Sequence, residues 1–325
     1  MRAAYINEFG PAHSIHLGEL PDPRPGAHEV LVDVEVTTAN HVDTFIRSGA
    51  VREHVEFPFV VGRDLVGRVA AAGEEVPGFA PGDRVWCNSL GHGGRQGAAA
   101  ERAVVPVERL YRLPDGVAPQ AAVPLLHPAA TAYLGLVTHG GLRAGSTVVV
   151  IGAAGNVGAA MVVLAAGMGA RVVAVAHERD AAYCRALGAD AVVDRRGGDL
   201  GARLSRACPE GADLYADAAG VNDLATAVGL LAWRGRIVLL AGLDTTPLLP
   251  AGPLYVQDRS VAGFAITRAT AAELAEAAHH VNGLLADGRL RPREVRVLPL
   301  GATAEAHRML EAGELHGRRV VLTAV

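Results

Sequence analysis

The pattern of apolar and polar positions divides the chain into two kinds of region. Up to about residue 120, short apolar runs at 30–36, 66–71 and 83–86 are separated by Pro and Gly, which predicts a β-rich domain. From about 122 to 265, strand-like and helix-like segments alternate, which predicts a parallel, doubly wound sheet with helices on both faces. The predicted strands are 147–151, 171–175, 191–193, 213–216, 237–241 and 260–264, and the predicted helices are 156–168, 180–187, 200–207 and 224–231.

The last part of the chain adds one more predicted helix, 271–286, and a closing strand, 319–324. The composition of this strand matches that of the first region, so we expect it to rejoin that region. The fold class is therefore α/β, with one β-rich domain formed by 1–121 and 266–325 and one doubly wound domain formed by 122–265.

A stretch without charged residues, 145–170, is long enough to cross a bilayer. Its internal order favours a different structure. The β-branched run 148–151 is typical of a buried strand, the glycine-rich turn 152–158 follows, and an Ala/Met/Val/Leu segment then leads to a second strand. Strand, turn, helix and strand within about thirty residues indicate a βαβ unit rather than a membrane span.

The glycine turn is the strongest single motif in the chain. Its residues are Gly152, Ala153, Ala154, Gly155, Asn156, Val157 and Gly158. Small residues at this place let the backbone approach a pyrophosphate, and the N-terminus of the following helix offers unpaired N–H groups to it. The motif predicts dinucleotide binding, although such turns also serve plain packing.

The residues after the second strand bear on which nicotinamide dinucleotide is bound. An acid at the end of this strand would select NAD, and Glu178 lies 20 positions after Gly158. However, the strand ends near Ala176, which has no acid to offer. His177 and Arg179 follow it, and Arg195 and Arg196 follow the next strand, so we predict NADPH. The alternative is that Glu178 and Arg179 form a solvated helix start.

Composition excludes several enzyme classes. Lys and Arg together number 30, and all of them are Arg, so a Walker A lysine, a Schiff-base lysine and a Tyr-x-x-x-Lys pair are ruled out. The net charge of −4 gives no indication of nucleic acid or an anionic membrane. Three widely spaced cysteines favour a reducing compartment, and Glu8 interrupts what would be the apolar core of a signal peptide. We expect a cytoplasmic protein.

Several runs resemble the medium-chain dehydrogenase/reductase superfamily. They are the run Pro-Phe-Val-Val-Gly-Arg-Asp-Leu-Val-Gly-Arg-Val at 58–69, then Gly73, Val76, Phe79 and the Gly-Asp-Arg-Val of 82–85. Two further runs are similar to its quinone oxidoreductase branch, which includes zeta-crystallin: Asn-His-Val-Asp-Thr-Phe-Ile-Arg-Ser-Gly at 40–49 and the glycine turn. The resemblance extends to the closing strand. It implies a GroES-like catalytic domain beside a Rossmann domain.

The resemblance also implies the absence of a metal. Zinc-dependent alcohol dehydrogenases of this superfamily carry Cys-His-x-Asp where this chain has Asn-His-Val-Asp at 40–43, and Gly-His-Glu where it has Gly-Arg-Asp at 62–64. An arginine is always protonated and cannot bind zinc, which prefers thiolate, imidazole or carboxylate ligands. The four-cysteine structural zinc lobe is missing too, and His92 and His127 do not make a zinc site alone. We therefore predict a zinc-free reductase.

The candidate catalytic residues come from the resemblance. Asn40 and Asp43 match positions that line the cleft beside the nicotinamide, Thr131 matches a threonine that approaches its ring, and Ala241 and Gly242 match a turn that passes under it. Each has a structural alternative. Asn40 could tie down a turn, Asp43 could cap a helix that begins at Thr44, and Thr131 could bond preceding helix carbonyls.

Arg47 fits a surface or ion-pair role better than a catalytic one. His92 and His127 are weak candidates for proton donors among 13 histidines. Phe45 stands where many relatives carry Tyr, so the source of the proton is open. The resemblance implies that variable loops, such as 50–56 and 88–96, form the walls of the substrate pocket.

Three functions are compatible with these features. Without zinc to polarise an alcohol, an acceptor that needs little activation fits best, so we predict hydride transfer from NADPH to a quinone. An enoyl or enone reductase that acts on an α,β-unsaturated thioester or ketone is the second candidate. A non-enzymatic NADPH-binding protein is the third. Because the strand at 260–264 should lie at a sheet edge and edges need cover, we also expect a homodimer.

Overall fold

The computed structural model describes residues 1–51 and 54–324. Arg52, Glu53 and Val325 lie outside the described residues, and the expected pocket wall at 50–56 is therefore described only at its two ends. The chain forms two compact units: unit 1 is Met1–His127 with Leu274–Val325, and unit 2 is Pro128–Glu273. The expected boundaries, 121/122 and 265/266, lie six and eight residues before the observed ones at 127/128 and 273/274. Each observed boundary falls within a helix.

The strands are numbered in chain order. They are β1 (Arg2–Ile6), β2 (His16–Glu19), β3 (Glu29–Thr38), β4 (Phe59–Val60), β5 (Leu65–Ala72), β6 (Arg84–Cys87), β7 (Arg102–Pro106), β8 (Tyr111–Arg112), β9 (Thr147–Ile151), β10 (Arg171–Ala176), β11 (Ala191–Asp194), β12 (Ala212–Asp217), β13 (Leu231–Leu239), β14 (Ser260–Gly263), β15 (Glu294–Pro299) and β16 (Arg318–Thr323).

The α-helices are α1 (His41–Ser48), α2 (Pro119–Tyr133), α3 (Asn156–Gly167), α4 (Ala181–Ala186), α5 (Leu200–Ala207), α6 (Leu224–Leu230), α7 (Ala251–Tyr255), α8 (Ala271–Ala286) and α9 (Thr303–Glu311). A π-helical turn, Leu134–Thr138, continues α2.

Unit 2 is built on a six-stranded parallel sheet with the order β11-β10-β9-β12-β13-β14. Strands β9 and β10 are buried along almost their whole length, which explains why their sequences are continuous apolar runs rather than alternating ones. The predicted doubly wound parallel sheet is confirmed. Strand β14 occupies the edge of this sheet, as its sequence predicts.

The uncharged stretch at 145–170 forms β9, the glycine turn and α3, so its assignment to a βαβ unit is confirmed. A different segment, Pro119–Thr138, is long and apolar enough to cross a membrane, but 83% of its apolar window is buried inside the protein. A mostly buried apolar helix of this kind is typical of a protein core.

Unit 1 contains a mainly antiparallel sheet with the order β15-β16-β3-β5-β6-β8, in which β7 also pairs with β3. Along most of β3, buried residues alternate with more exposed ones, because one face of this strand packs on the core. Its buried valines meet apolar side chains of the neighbouring strands in one cluster, which includes Val30, Val32, Leu65, Val69 and Val85.

The closing strand β16 pairs with β3 in antiparallel register and with β15 in parallel register. The expectation that the end of the chain rejoins the first domain is therefore confirmed. This pairing places α8, β15 and α9, which precede β16 in the chain, in or at the border of unit 1.

One predicted strand needs a correction. The segment predicted as 237–241 begins at Leu231, because Leu231 pairs with Ala212 before the strand twists at Arg234, whose φ is +60°. It ends at Leu239. Ala241 and Gly242 therefore lie in the loop that follows the strand, at the carboxyl edge of the sheet.

Candidate functional site

The glycine turn connects β9 to α3. Gly152 has a φ of +77°, and a Cβ at this position would lie 3.0 Å from the Cβ of Ala219. The N–H groups of Gly152 and Ala153 both lie 3.1 Å from the carbonyl oxygen of Val175 and donate to it, which ties the turn to β10. Gly155 is the N-cap residue of α3 and is exposed.

The helix after the turn approaches the strand before it very closely. A Cβ on Gly158 would lie 2.2 Å from the carbonyl oxygen of Gly152, so only glycine fits there. The N–H groups of Asn156, Val157 and Gly158 form the first turn of the helix and have no partner within it. With Ala154, which is only partly buried, these residues build a backbone cradle that suits a phosphate.

Two neighbouring loops meet the glycine turn at the carboxyl edge of the sheet. Gly220 lies against Gly242, because a Cβ on Gly220 would be 2.6 Å from the backbone nitrogen of Gly242. The side chain of Asn222 donates to the carbonyl oxygen of Ala241 at 3.0 Å and to the hydroxyl of Thr245 at 2.6 Å. The loops after β9, β12 and β13 are therefore held as one unit.

A buried carboxylate organises the loop after β12. The side chain of Asp217 accepts hydrogen bonds from the backbone N–H groups of Ala219, Gly220 and Asn222 at 2.8, 2.9 and 2.6 Å. These three bonds explain how Asn222 holds a φ of +52°. The sequence analysis missed Asp217 and Asn222, although an acid at the end of a buried strand followed by Ala-Ala-Gly is a usable signal.

Basic side chains follow β10 and β11. His177 follows β10, Arg179 lies in the single 3-10 turn Glu178–Asp180, and Arg195 follows β11. The backbone N–H of Arg195 donates to the carbonyl oxygen of Ala176 at 2.8 Å, which brings the two strand ends together. Loss of hydration, reinforced by Arg195, Arg196 and Arg179, lowers the pKa of His177.

Thr131 lies in α2, which crosses the boundary between the two units, and its side chain is 7% exposed. It belongs to unit 2, as the glycine turn does. Asn40 and Asp43 belong to unit 1. The predicted site residues therefore form two groups, one in each unit.

The unit 1 group is built on the start of α1. The helix begins at His41, with Asn40 as its N-cap residue, so the expectation of a helix that begins at Thr44 was wrong. Asp43 is the third helical residue, and its Oδ2 accepts a hydrogen bond from the backbone N–H of Asn40 at 2.7 Å. This bond is half of a capping box, so Asp43 does serve the helix end as a structural residue.

Two further ionisable residues, Arg63 and Asp64, lie beside this helix end and come from the segment before β5. The Nε of Arg63 lies 3.9 Å from Oδ1 of Asp43, and the side-chain amide of Asn40 donates to Oδ2 of Asp64. The hydroxyl of Thr37 donates to the backbone carbonyl of Asp64 at 2.6 Å. All five residues are buried. We call Asn40, Asp43, Arg63 and Asp64 the carboxyl cluster.

Burial controls protonation in the carboxyl cluster. It raises the pKa of Asp43 to about 6 against the opposing charge of Arg63. Burial, followed by the negative charge of Asp43, raises the pKa of Asp64 well above its usual value. Burial, followed by the positive charge of Arg63, lowers the pKa of the nearby His127 to about 3, so this imidazole is neutral.

Two other residues considered in the sequence are buried. Arg47 is 1% exposed and pairs with Glu311 of α9, so of its two expected roles the ion pair is observed. His92 is 9% exposed. Over the described residues, the structure contains no group of three or more His, Cys, Asp or Glu side chains that could hold a metal ion.

Family models match both units. The model of the alcohol dehydrogenase GroES-like domain matches residues 26–115, and the model of the zinc-binding dehydrogenase matches residues 156–282. The quinone oxidoreductase of Lama guanicoe is 29% identical over 325 residues, which cover 99% of this chain and 97% of that protein. The acryloyl-coenzyme A reductase of Sulfurisphaera tokodaii is 26% identical over 96% of this chain and 97% of its own length.

Solved structures with similar folds are also pyridine-nucleotide-dependent or nucleotide-bound proteins. An NAD-dependent alcohol dehydrogenase has a TM-score of 0.88 at 30% identity, with 99% of each chain covered. A mycobacterial protein in complex with NADPH has a TM-score of 0.83 at 27% identity, again with 99% of each chain covered. The fold is that of a pyridine-nucleotide-binding oxidoreductase. The chain belongs to the quinone oxidoreductase branch of the medium-chain dehydrogenase/reductase superfamily.

Proposed function

We propose that the protein is a zinc-independent, NADPH-dependent quinone oxidoreductase. The observation that carries the proposal is Arg63, a buried guanidinium 3.9 Å from Asp43. A permanent positive charge at this place repels a metal cation, and neither an amide such as Asn40 nor a guanidinium is a zinc ligand. Without a Lewis acid, an acceptor that takes up hydride with little activation is the best fit, and quinones have this property.

The unit 2 residues suit NADPH. The cradle at Gly152, Gly155 and Gly158 leaves room for a pyrophosphate, and the first N–H groups of α3 point to it. Arg179 and Arg195 are cations near the end of β10 that match a ribose 2′-phosphate, and His177, whose pKa is lowered, can donate a hydrogen bond as a neutral imidazole. Thr131, Ala241 and Gly242 would hold the nicotinamide half. When bound, this cofactor supplies the hydride.

A second candidate is an enoyl or enone reductase. The similarity to an acryloyl-coenzyme A reductase favours it, because that relative covers nearly the whole chain. The two functions need the same cofactor site and differ in the acceptor. A non-enzymatic NADPH-binding protein is the remaining alternative, and it requires nucleotide binding without turnover of any acceptor.

The assembly and compartment are also proposals. Strand β14 is an edge strand of the parallel sheet, and Tyr255 and Val256, just before it, are 73% and 65% exposed. An edge next to exposed apolar side chains favours a homodimer that pairs two such edges. All three cysteines are buried, and Cys87 and Cys208 are free thiols, which suits the reducing cytoplasm.

The first experiment compares NADPH with NADH, using a simple quinone and a 2-enoyl thioester as parallel acceptors. We expect turnover of the quinone with NADPH. Arg195→Ala should weaken NADPH binding about 10-fold and leave NADH binding unchanged, because it removes one charge-assisted bond to the 2′-phosphate. Arg185→Ala, on the exposed side of α4, is the matched control.

Each outcome has a separate meaning. A far better kcat/KM for the thioester would move the function to enoyl reduction. A preference for NADH would contradict the proposed role of His177, Arg179 and Arg195, and would instead favour Glu178 as a ribose ligand. NADPH binding without any turnover would favour the non-enzymatic alternative.

A further inference from the structure

Asn222 joins two loops at the carboxyl edge of the unit 2 sheet. It belongs to the loop after β12 and is 5% exposed. Its side-chain amide donates to the carbonyl oxygen of Ala241 and to the hydroxyl of Thr245, both in the loop after β13. The hydroxyl of Thr245 in turn donates to the carbonyl oxygen of Gly242 at 2.7 Å. Asn222 therefore holds the loop after β13 on both sides of Gly242.

The partners of Asn222 fix the orientation of its amide group. The carbonyl oxygen of Ala241 can only accept a hydrogen bond. The hydroxyl hydrogen of Thr245 is given to Gly242, so this hydroxyl accepts from Asn222 as well. The Nδ2 group of Asn222 therefore faces both partners. A side chain with only acceptor atoms, such as aspartate, cannot make either bond.

The loop after β12 is itself tied to the centre of the sheet. Asp217, the last residue of β12, is buried and accepts a hydrogen bond from the backbone N–H of Asn222 at 2.6 Å. The backbone N–H of Ala218 donates to the carbonyl oxygen of Ile151 at 3.1 Å, immediately before the glycine turn. Asn222 therefore connects the loop after β13 to the part of the sheet that carries the glycine turn.

Stability does not explain why asparagine occupies this position. The φ of Asn222 is +52°, a conformation that glycine adopts without strain. Its Oδ1 is buried and has no hydrogen-bond partner among the described residues, which is unfavourable for folding. The loop that it holds is exposed at Ala241 and at 243–249, so this loop contributes little to the core. The side chain provides a fixed position for the loop.

We propose that Asn222 is a positioning residue for hydride transfer, because it fixes the loop of Gly242 relative to the glycine turn. The proposal rests on the proposed function, in which Gly242 holds the nicotinamide half of NADPH and the glycine turn holds the pyrophosphate. Asn222 acts through the carbonyl of Ala241 and the hydroxyl of Thr245, not by contact with the reacting atoms. Displacement of a reactant by about 1 Å strongly lowers a rate, so a fixed loop favours the chemical step more than binding.

Amide hydrogen exchange of the free protein tests whether Asn222 holds the loop. Asn222→Gly removes the side chain and tolerates the positive φ. The backbone N–H of Thr245, which donates to Gly242 at 3.0 Å, should exchange about 10-fold faster in this variant. Asp258→Gly is the matched control, because Asp258 is exposed, has a φ of +53° and lies outside both loops. Unchanged exchange in Asn222→Gly would overturn the proposal.

Steady-state kinetics with NADPH test the positioning role. In Asn222→Gly, kcat should fall about 10- to 100-fold for the quinone and for the enoyl thioester alike. The affinity for NADPH should change much less, because the glycine turn still holds the pyrophosphate. Tm should stay close to that of the wild type, since release of an exposed loop is a local event. A wild-type kcat in this variant would refute the positioning role.

Substitutions at Thr245 repeat the test at an exposed position, where folding is not at risk. Thr245→Val keeps the shape of the side chain and removes the hydroxyl, whereas Thr245→Ser keeps the hydroxyl. We expect kcat to fall about 10-fold in the Val variant and to keep its wild-type value in the Ser variant. Combined with Asn222→Gly, the Val substitution should add little, because both remove the same bond. Equal kcat values in the Val and Ser variants would contradict the proposal.

The two proposals fail in distinguishable ways. If the wild-type protein binds NADPH and reduces neither acceptor, the proposed function fails. The fluorescence emission of bound NADPH reports the surroundings of the nicotinamide ring and then decides the positioning role, because it should shift in Asn222→Gly and not in Asp258→Gly. If turnover occurs and Asn222→Gly keeps the wild-type kcat, only the positioning role is refuted.

Discussion

The glycine turn of unit 2 and the carboxyl cluster of unit 1 solve opposite physical problems. The turn is built from backbone, with exposed cations close by, and its properties follow from the lack of side chains at Gly152 and Gly158. The carboxyl cluster consists of side chains from two places in the chain, 40–43 and 63–64, and its properties follow from burial. A site built from backbone can therefore be predicted from a short sequence motif, whereas a buried cluster of charged side chains can be recognised only in the folded structure.

The comparison also separates two uses of arginine. Arg179 is exposed, and its Nε lies 3.9 Å from Oδ2 of Asp180, so its guanidinium is accessible to an anion. Arg63 is 1% exposed and faces carboxyl groups of its own unit, so it acts on their protonation. A guanidinium can therefore serve as a ligand-binding group at the surface, as we propose for Arg179, or influence the protonation of buried carboxyls, as Arg63 does.

The largest effect is expected from a single methyl group in the turn. Gly158→Ala places a Cβ 2.2 Å from the carbonyl oxygen of Gly152, so the turn and α3 must separate. We expect NADPH binding to weaken roughly 100-fold or more, because displacement of about 1 Å has effects of that size. Fluorescence titration measures it.

Gly229→Ala in α6 is the matched control, because a Cβ there meets no atom within 4 Å. This variant should bind NADPH as the wild type does. Equal binding by both variants would show that close packing of α3 on the turn is not needed for nucleotide affinity.

The next effect concerns acid stability in unit 1. Burial lowers the pKa of His307 to about 3, and both of its ring nitrogens lack partners among the described residues. Between pH 6.5 and pH 3 the unfolded chain binds the additional proton, so stability falls as the pH falls through this range. His307→Leu should reduce the loss of stability between pH 7 and pH 4.5 by about 2–3 kcal/mol.

Urea unfolding at several pH values measures this change. His279→Leu on the exposed face of α8 is the control and should leave the pH dependence as it is. If the free energy of unfolding of His307→Leu falls between pH 7 and pH 4.5 as much as that of the wild type, this imidazole is not buried in its neutral form.

A smaller effect is expected from salt. The cations near the end of β10 are solvent-accessible, so between about 0.05 and 0.5 M salt NADPH binding should weaken roughly 3- to 10-fold. NADH binding should change much less, because it lacks the 2′-phosphate. Equal salt responses for both nucleotides would weaken the proposed 2′-phosphate site.

The smallest effect is expected at Arg308 of α9. Its exposed guanidinium bonds Glu305 at 2.8 Å and Glu314 at 2.7 Å, and these carboxylates raise its pKa. Such pairs are screened by water, so Arg308→Ala should leave Tm unchanged within the scatter of a thermal unfolding measurement. A clear decrease would show that charge networks at this surface contribute as much as the buried cluster.

Much of the fold could be predicted because its signals are local. The runs that form β9, α5 and α8 predict bounds that the structure reproduces, since each carries the apolar pattern expected of its element. The start of β13 at Leu231 could not be predicted in this way. It depends on pairing with Ala212, nineteen positions earlier in the chain.

The candidate site likewise contains residues that could be predicted from local sequence and residues that could not. The turn from Gly152 to Gly158 and the cations after β10 could be found from spacing, because their neighbours in space are also neighbours in sequence. The sequence identifies Asp64 as part of a family motif, but it does not predict that Asp64 belongs to a buried cluster. The hydrogen bonds of its carboxyl with the side chain of Asn40 and with the backbone of His127 join residues that are 24 and 63 positions apart in the chain.

Local patterns in the sequence are enough to predict the order of strands and helices, the backbone cradle and the family, because propensity, periodicity and glycine stereochemistry act over short distances. The folded chain is needed to show that Asp43, Arg63 and Asp64 are buried together, that His127 is neutral, and that the loops after β9, β12 and β13 are held together. The physical reason is that protonation and loop packing depend on the surrounding dielectric and on partners brought close by folding.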